Sequence, residues 1–252
     1  MKFSIVTSTY NSAKTVRDTF ESVLNQTDKD YEYWVIDGVS KDDTISIIKE
    51  YESKFEGRMK WISEPDKGIF DAMTNGFQKC RGDVLMLINS DDLFARLDAL
   101  QLVADKFKNN PDADCVYADL YYVSQNDVQN IVRVWKTGTQ KPFSEGWLPA
   151  HPTFYVKKKI YDKCGYFDLS YSLAADFELM LRFVEKYQIK LVYLEESLVR
   201  MRLGGATSKN LKNIYRQNKE CYNAFKNNGV NCSPFYIFYR FLPKIKQFFR
   251  KA

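Results

Sequence analysis

The alternation of strand patterns with helical patterns between residues 3 and 88 constrains the fold most strongly. Four short segments rich in apolar and β-branched residues lie at 3–9, 33–37, 59–63 and 84–88. Between them, apolar residues recur at helical spacing, as in Ile69, Met73 and Phe77. Segment 84–88 contains no polar residue, which is typical of the centre of a parallel sheet. This order predicts an α/β sheet with right-handed crossovers.

The pattern changes after Asp92. A helix that includes Leu97 and Phe107 is predicted, then a strand at 115–118 and a hairpin formed by 121–123 and 131–135. A loop with Gly and Pro spans 138–152, a helix spans 174–187, and two further strands lie at 189–194 and 198–201. Gly204 and Gly205 interrupt the chain before a basic tail.

Acidic side chains follow the predicted strands. Ligands of open α/β sheets bind beyond the carboxyl ends of the strands, so these loops should carry the chemistry. The first loop, Ser8-Thr9-Tyr10-Asn11, lacks both the GxGxxG and the GxxxxGK patterns, which argues against NAD dehydrogenases and P-loop kinases. Several carboxylates at one sheet edge would repel a diphosphate unless a divalent cation lay between them. The pattern therefore predicts a metal together with a nucleoside diphosphate.

A series of motifs then resembles one family. In chain order they are Ser4 to Asn11, Val35-Ile36-Asp37-Gly38, Glu64-Pro65-Asp66-Lys67-Gly68, Asn89-Ser90-Asp91-Asp92, His151-Pro152, Gly165-Tyr166-Phe167-Asp168, Ala175-Asp176-Phe177-Glu178 and Arg202 to Ser208. Over Lys2 to Ser208 the chain resembles family 2 glycosyltransferases of the GT-A fold. The resemblance implies a Rossmann-like, mostly parallel central sheet with helices on both faces. It implies a domain at 1–207, with a nucleotide-binding half at 1–92 and an acceptor half at 93–207, followed by a basic helical extension at 208–252.

The resemblance also assigns the donor site. Asp91 would bind a divalent cation, Mn²⁺ or Mg²⁺. The residues expected to contact the nucleotide or its sugar are Thr9, Tyr10, Asn11, Asp37, Asp66, Lys67, Asp71, Asn89, Ser90, Asp92 and Arg202. Asp66 and Asp71 can alternatively brace the start of a helix, and Asp42 is expected to cap the helix after the second strand. Arg202 is expected on a mobile loop that closes on the diphosphate.

Asp176 is the expected catalytic base. It lies at a predicted helix start, where the helix dipole favours a negative charge. The family pattern has a pair of acids here, but Ala175 replaces the first of them, so Glu178 is the second candidate for the base and also a candidate to bind the acceptor or a metal. His151, the only histidine, is expected to bind the acceptor or a metal, although a structural role is the alternative.

The tail carries most of the positive charge. From Ser208 to Ala252, ten Lys and Arg residues stand against Glu220 alone, a net charge of +9 in a chain whose total is +5. Aromatic and aliphatic residues from Phe235 to Phe249 recur at helical spacing, and Pro243 should kink or split that helix. The tail is predicted to bind an anionic membrane surface and not nucleic acid, with no core residue beyond Gly229. Core packing of the same aromatic residues is the alternative.

The predicted function is transfer of a sugar, with inversion, from a nucleoside diphosphate sugar to a hydroxyl acceptor. A lipid-linked saccharide in cell-surface polysaccharide synthesis is the expected acceptor. A sugar-phosphate nucleotidyltransferase would need a Gly- and Arg-rich first loop, and a non-catalytic membrane or nucleic-acid module leaves the acidic loops unexplained. Five scattered cysteines and the lack of a long apolar run favour the cytoplasm or the inner face of the cell membrane.

Overall fold

The computed structural model describes residues 1–204, 211–233, 235, 236 and 238. The strands are β1 (Phe3–Thr9), β2 (Tyr31–Asp37), β3 (Met59–Ser63), β4 (Val84–Leu87), β5 (Leu93–Phe94), β6 (Cys115–Val123), β7 (Ile131–Trp135), β8 (Phe154–Lys157) and β9 (Leu191–Arg202). The α-helices are α1 (Val16–Leu24), α2 (Thr44–Lys54), α3 (Ile69–Lys79), α4 (Ala99–Asn109), α5 (Lys158–Cys164), α6 (Ala175–Leu181) and α7 (Leu211–Asn227).

Within the described residues, one sheet contains all nine strands in the order β3-β2-β1-β4-β8-β6-β9-β5, and β7 pairs with β6. β1 is parallel to β2 and β4, and β2 is parallel to β3. β8 runs antiparallel between β4 and β6, and β6 is parallel to β9. Only β5, β7 and β8 therefore oppose the common direction, which confirms the expected mostly parallel α/β sheet.

The two faces of the sheet bury separate apolar clusters because side chains alternate along each strand. Ile5 packs with Phe20 of α1 on one face, whereas Val6 packs with Phe77 of α3 on the other. Each fully buried Phe contributes about 1.5–3 kcal/mol relative to an exposed one. α3 approaches β1 so closely that a Cβ at Gly76 would lie 2.4 Å from a methyl carbon of Val6.

The second half differs from the sequence-based expectation in several elements. β6 and β9 are each one continuous strand, whereas the sequence predicted two shorter strands in each of these regions. Register shifts between β6 and β9 at Asp119 accommodate the polar residues that had suggested a break. β8 and α5 were not expected, because β8 passes into α5 without a Gly or Pro between them. The helix expected at 174–187 is α6 followed by a π-helical turn at Arg182–Lys186.

The start of α2 also differs. Asp43, not Asp42, is the N-cap residue, and its side chain makes no capping hydrogen bond. The Asp42 carboxylate nevertheless accepts hydrogen bonds from the backbone N–H of Thr44 at 3.1 Å and from that of Ala13 at 3.1 Å. Asp42 therefore braces the helix start from one position earlier and ties it to the loop after β1.

α7 belongs to the apolar core. Its residues Cys221, Ala224 and Phe225 are fully buried and pack against α6. Tyr236 is also buried, with its ring centroid 4.8 Å from that of Phe225. The expectation that no core residue follows Gly229 is therefore wrong.

The rest of the tail is described only in part. Phe235 and Phe238 are 65% and 62% exposed, and the residues expected to extend their stripe lie outside the described residues. Within residues 1–204, 211–233, 235, 236 and 238, no helix combines the length and the apolar character needed to cross a bilayer.

Candidate active site

Asp37 ties together the carboxyl ends of the first three strands. This fully buried carboxylate accepts hydrogen bonds from the hydroxyl of Thr9 at 2.9 Å and from that of Ser63 at 2.7 Å. It also accepts from the backbone N–H of Ser40 at 2.9 Å and from the Ser40 hydroxyl at 2.5 Å. Asp37 therefore accepts four hydrogen bonds, which hold the ends of β1 and β3 and the loop after β2 together. A ligand could contact its carboxylate directly only if one of these hydrogen bonds were broken.

The loops after β1 and β2 are joined at Asn11. Its backbone has φ = 50°, in the left-handed region that Asn tolerates better than most residues. Its N–H donates to the Ser40 hydroxyl at 2.9 Å, and its side-chain oxygen accepts from the N–H of Lys41 at 2.8 Å. The neighbouring Tyr10 is 65% exposed, so the joined loops present an aromatic side chain at the sheet edge.

Asp66 lies directly over Gly38. A Cβ at residue 38 would be 2.5 Å from Asp66 Oδ2 and 3.5 Å from the Tyr10 ring, so glycine permits both side chains to approach the β2 end. The other Asp66 oxygen accepts from the N–H of Gly68 at 2.8 Å, and Asp71 accepts from the N–H of Lys67 at 2.9 Å. Both acids therefore brace the loop before α3.

Asn89 to Asp92 form a tight turn after β4. The N–H of Asp92 donates to the Asn89 carbonyl at 3.0 Å, and the Asn89 amide donates to Asp92 Oδ2 at 2.8 Å. The Ser90 hydroxyl lies 2.9 Å from that of Ser12, and Thr15 donates to the Ser90 carbonyl at 2.8 Å. Asp92 is buried and so orients the turn, while Ser12 and Thr15 anchor it to the loop after β1.

Arg202 fixes the position of Asp91. Its guanidinium donates to the Asp91 carbonyl at 2.6 Å and pairs with the carboxylate of Asp18. Arg202 is the last residue of β9 and only 6% exposed. It therefore lies in a strand, not on the mobile loop that the resemblance implied, and it contacts the turn that a diphosphate would approach.

The side chains of this turn suit a hard cation. Burial raises the pKa of Asp91 and that of Asp92, and the Asp91 charge raises the pKa of Asp92 further. Asn89 Oδ1 and Asp92 Oδ1 are buried and accept no hydrogen bond from the described part of the chain. Carboxylate oxygens are ligands of Mg²⁺ and Mn²⁺, and Asp91, which is only partly buried whereas Asp92 is buried, is the acid of this turn that a cation could reach.

The protein alone does not complete such a metal site in its described ranges. No three His, Cys, Asp or Glu side chains among those residues are grouped closely enough to hold an ion. The remaining ligands would have to be diphosphate oxygens and water, as is common for Mg²⁺.

His151 and Asp176 lie close enough to interact electrostatically. Burial lowers the pKa of His151, and the negative charge of Asp176 opposes that shift. The His151 ring meets Phe167 edge to face, with centroids 5.7 Å apart. Asp176 lies in the first turn of α6, where its Oδ1 accepts from the N–H of Phe177 at 2.8 Å. The structure thus brings together the two residues expected on the acceptor side.

Glu178 has a different position. It is 3% exposed and accepts from Arg182 Nε at 2.9 Å and Nη2 at 3.2 Å. Asn228 donates to the same carboxylate at 3.0 Å. Both oxygens are thus engaged in a buried ion pair, which argues against the expected alternative roles of Glu178 as base, acceptor contact or metal ligand.

Sequence reasoning overlooked the residues that hold the loops together, chiefly Ser12, Thr15, Asp18 and Ser63. Their signal is weak, because short polar residues follow many strands and also form ordinary turns. The partner of Glu178 had a clearer signal, since Arg182 lies four residues later within the helix predicted at 174–187.

The sequence matches the family model described as glycosyl transferase family 2 over residues 4–173. Chondroitin synthase of Escherichia coli is 29% identical over 184 residues, which cover 72% of this chain and 26% of that protein. An uncharacterised glycosyltransferase of Methanocaldococcus jannaschii is 26% identical over 90% of this chain and 79% of its own length. A PGL/p-HBAD biosynthesis glycosyltransferase of Mycobacterium tuberculosis is 25% identical over 71% of this chain and 68% of its own length.

Solved structures share the fold. The chain superposes on S. aureus TarS 1-349 in complex with UDP-GlcNAc with a TM-score of 0.68 at 17% identity. The match covers 95% of this chain and 69% of the TarS chain. A Pyrobaculum calidifontis mannosyltransferase in complex with GDP-Man and Mn²⁺ gives 0.67 at 15% identity, with coverages of 96% and 69%. These likenesses confirm the expected GT-A fold.

Proposed function

The chain belongs to glycosyl transferase family 2, and from that premise we propose that it transfers a sugar from a nucleoside diphosphate sugar to a hydroxyl acceptor with inversion. One observation carries the proposal: the turn at Asn89–Asp92 is hydrogen-bonded to the loop after β1, and Tyr10 of that loop and Asp66 both lie beside Gly38 at the same sheet edge. The aromatic ring of Tyr10 suits a nucleotide base, and the carboxylates of Asp66 and Asp71 suit a sugar. The turn at Asn89–Asp92 suits a cation and the diphosphate that it would bind.

The donor would lie along the ends of β1, β2 and β4. Thr9, Tyr10, Asn11 and Asp37 would shape the base and ribose pocket. Asp66, Lys67 and Asp71 would flank the sugar, while Asn89, Ser90 and Asp92 set the turn that presents Asp91 to a divalent cation. Similar folds have been solved with UDP-GlcNAc, and with GDP-Man and Mn²⁺, which supports this class of donor. A bound cation would neutralise charge on the leaving diphosphate.

Asp176 would act as the general base. Its carboxylate would take the proton of the acceptor hydroxyl while the acceptor oxygen bonds to the anomeric carbon. The bond from that carbon to the diphosphate breaks with its electron pair leaving on the diphosphate, so one displacement inverts the centre. The transition state resembles that of glycoside hydrolysis. A neutral His151 beside Asp176 would hydrogen-bond the acceptor.

A lipid-linked saccharide remains the proposed acceptor, used at the inner face of the cell membrane. On α7, Lys212, Lys219 and Lys226 recur every seven residues, and Tyr215 and Tyr222 have the same spacing. All five side chains are exposed, the tyrosines by 71% and 51%. Such a basic and aromatic face is typical of segments that lie on anionic lipid.

A donor screen tests the function. Purified protein should release a nucleoside diphosphate from one nucleotide sugar, faster with a saccharide acceptor, and EDTA should abolish release. Release of pyrophosphate from a nucleoside triphosphate and a sugar phosphate would instead indicate a nucleotidyltransferase. No turnover and no nucleotide-dependent thermal stabilisation would favour a non-catalytic binding module.

A further inference from the structure

Glu220 of α7 reaches across to the segment that precedes α6. Its Oε2 accepts hydrogen bonds from the backbone N–H of Leu173 at 2.8 Å and from that of Ala174 at 3.0 Å. Its Oε1 accepts from the Ser172 hydroxyl at 2.9 Å. One side chain thus engages three consecutive residues that end two positions before Asp176.

The start of α6 needs such a partner. Its N-cap residue is Ala174, which has no side-chain oxygen to accept a backbone N–H. In a capping box, a Glu three residues into the helix accepts the N–H of the N-cap residue, but that position here is Phe177. Glu220 supplies from another helix the carboxylate that the local sequence lacks.

The contact is charge-assisted and shielded from water. The Glu220 side chain is 13% exposed, and its ion pair with Arg216 at 3.2 Å is on the outer side, where Arg216 is 61% exposed. Hydrogen bonds between an ionised group and a backbone N–H are stronger than neutral ones, so they fix the backbone more firmly.

Two further contacts from α7 flank this one. Asn227 donates to the Tyr171 hydroxyl at 2.8 Å, and Gln217 donates to the Leu173 carbonyl at 3.4 Å. They hold the same segment at its beginning and middle. The buried side of α7 therefore holds the residues that lead into α6, while its opposite side is exposed.

We propose that Glu220 is a positioning residue that fixes residues 172–174 and thereby sets where the Asp176 carboxylate points. This inference rests on the proposed function, in which Asp176 is the base. A misplacement of about 1 Å at a reacting group can lower a rate by about 100-fold, so loss of this contact should affect turnover more than donor binding.

Kinetics of three variants test the proposal. Glu220→Ala should lower kcat for transfer by about 10- to 100-fold while the donor KM stays within about twofold. Glu220→Gln keeps one acceptor oxygen for the two N–H groups and should recover most of kcat. Arg216→Ala is the matched control, because it removes the ion pair but leaves the backbone contacts, and it should resemble the wild type.

Amide hydrogen exchange gives a readout that needs no activity. Leu173 and Ala174 should exchange at least about tenfold faster in Glu220→Ala, with no change at Ser90 to Asp92. If the Ala variant is insoluble, Glu220→Asp, which is one methylene shorter, replaces it in both assays. Unchanged exchange, or unchanged kcat in an active protein, overturns the role of Glu220. A wild type that transfers no sugar overturns the proposed function, while the exchange result still decides whether Glu220 holds the segment.

Discussion

Arg202 donates a hydrogen bond to the backbone carbonyl of Asp91, a residue 111 positions earlier in the chain. The same guanidinium pairs with Asp18 of α1, so the end of β9 holds the turn after β4 against the first helix. The end of β9 thus helps to position Asp91, the proposed metal ligand after β4.

Arg202→Lys should weaken metal-dependent donor binding about tenfold, or about 1.4 kcal/mol, because one ammonium cannot bridge two oxygens as the planar guanidinium does. Titration calorimetry with a nucleoside diphosphate and Mn²⁺ measures this. Arg96→Lys, which alters an Arg that pairs with Asp98 and Glu196, is the control and should bind normally. Normal binding by Arg202→Lys would show that the position of Asp91 does not depend on this contact.

Asp91→Ala should abolish Mn²⁺-dependent donor binding while the fold remains intact. The loss follows from the proposal that Asp91 is the protein carboxylate presented to the cation, without which the diphosphate charge is unopposed. Calorimetry and circular dichroism measure the two effects. Asp105→Ala removes an exposed carboxylate on α4 and should change neither. Retained affinity in Asp91→Ala would refute the assignment.

Asp176→Asn should lower the transfer rate by about 10²–10⁴-fold, the usual effect of losing a general base, with donor affinity unchanged. Glu178→Gln, two residues away, is the informative comparison. It breaks a buried ion pair and should reduce the free energy of unfolding by about 3 kcal/mol, yet leave kcat of the folded fraction near that of wild type. Transfer by Asp176→Asn above a tenth of the wild-type rate would show that another group is the base.

The sequence predicted the elements of residues 1–92 well because their signals are local. β1 and β3 have the expected bounds, since each is a short segment rich in apolar residues that is followed by polar turn residues. The elements after residue 92 were harder to predict, because β8 passes directly into α5 and the register shifts at Asp119 depend on strands far apart in sequence.

The proposed site could likewise be predicted from the sequence only in part. Motif order placed Asp91 in the turn after β4 and Asp176 at the start of a helix, but whether an acid faces a ligand or a neighbour is decided by tertiary contacts. Glu178 shows this, since Arg182 and Asn228 occupy its oxygens. Glu220 shows the converse, since nothing in the sequence around it connects α7 to the entry of α6.

His151 should make stability pH-dependent. Burial lowers its pKa from the ordinary 6.5 in the folded state, so the unfolded chain binds the proton first. The contribution of His151 to the free energy of unfolding should therefore be complete above about pH 6.5 and decrease as the pH falls toward the lowered pKa of the folded state. The negative charge of Asp176 opposes part of this pKa shift. Urea unfolding of wild type and His151→Gln between pH 5 and 8 measures this. Parallel curves for the two proteins would contradict the effect.

Membrane docking is tested on the α7 face. Each Lys near an anionic leaflet contributes about 1 kcal/mol, so replacing Lys212, Lys219 and Lys226 by Gln should weaken vesicle binding by about 3 kcal/mol, roughly 100-fold. The control replaces three exposed lysines on other helices, Lys49, Lys108 and Lys163, and makes the same change in net charge. Co-sedimentation with anionic and neutral vesicles at low and high salt measures binding.

A truncated chain isolates the contribution of the tail. A chain that ends at Phe238 keeps the buried Tyr236 and lacks five of the ten basic residues that follow Thr207. It should fold, bind anionic vesicles more weakly, and bind neutral vesicles no better than the full chain. A chain that ends at Gly229 loses Tyr236 as well and should be about 3 kcal/mol less stable, because removal of a buried aromatic ring leaves a cavity beside Phe177 and Phe225. Equal sedimentation of the full chain, the Phe238 chain and the α7 lysine variant would refute docking through this face.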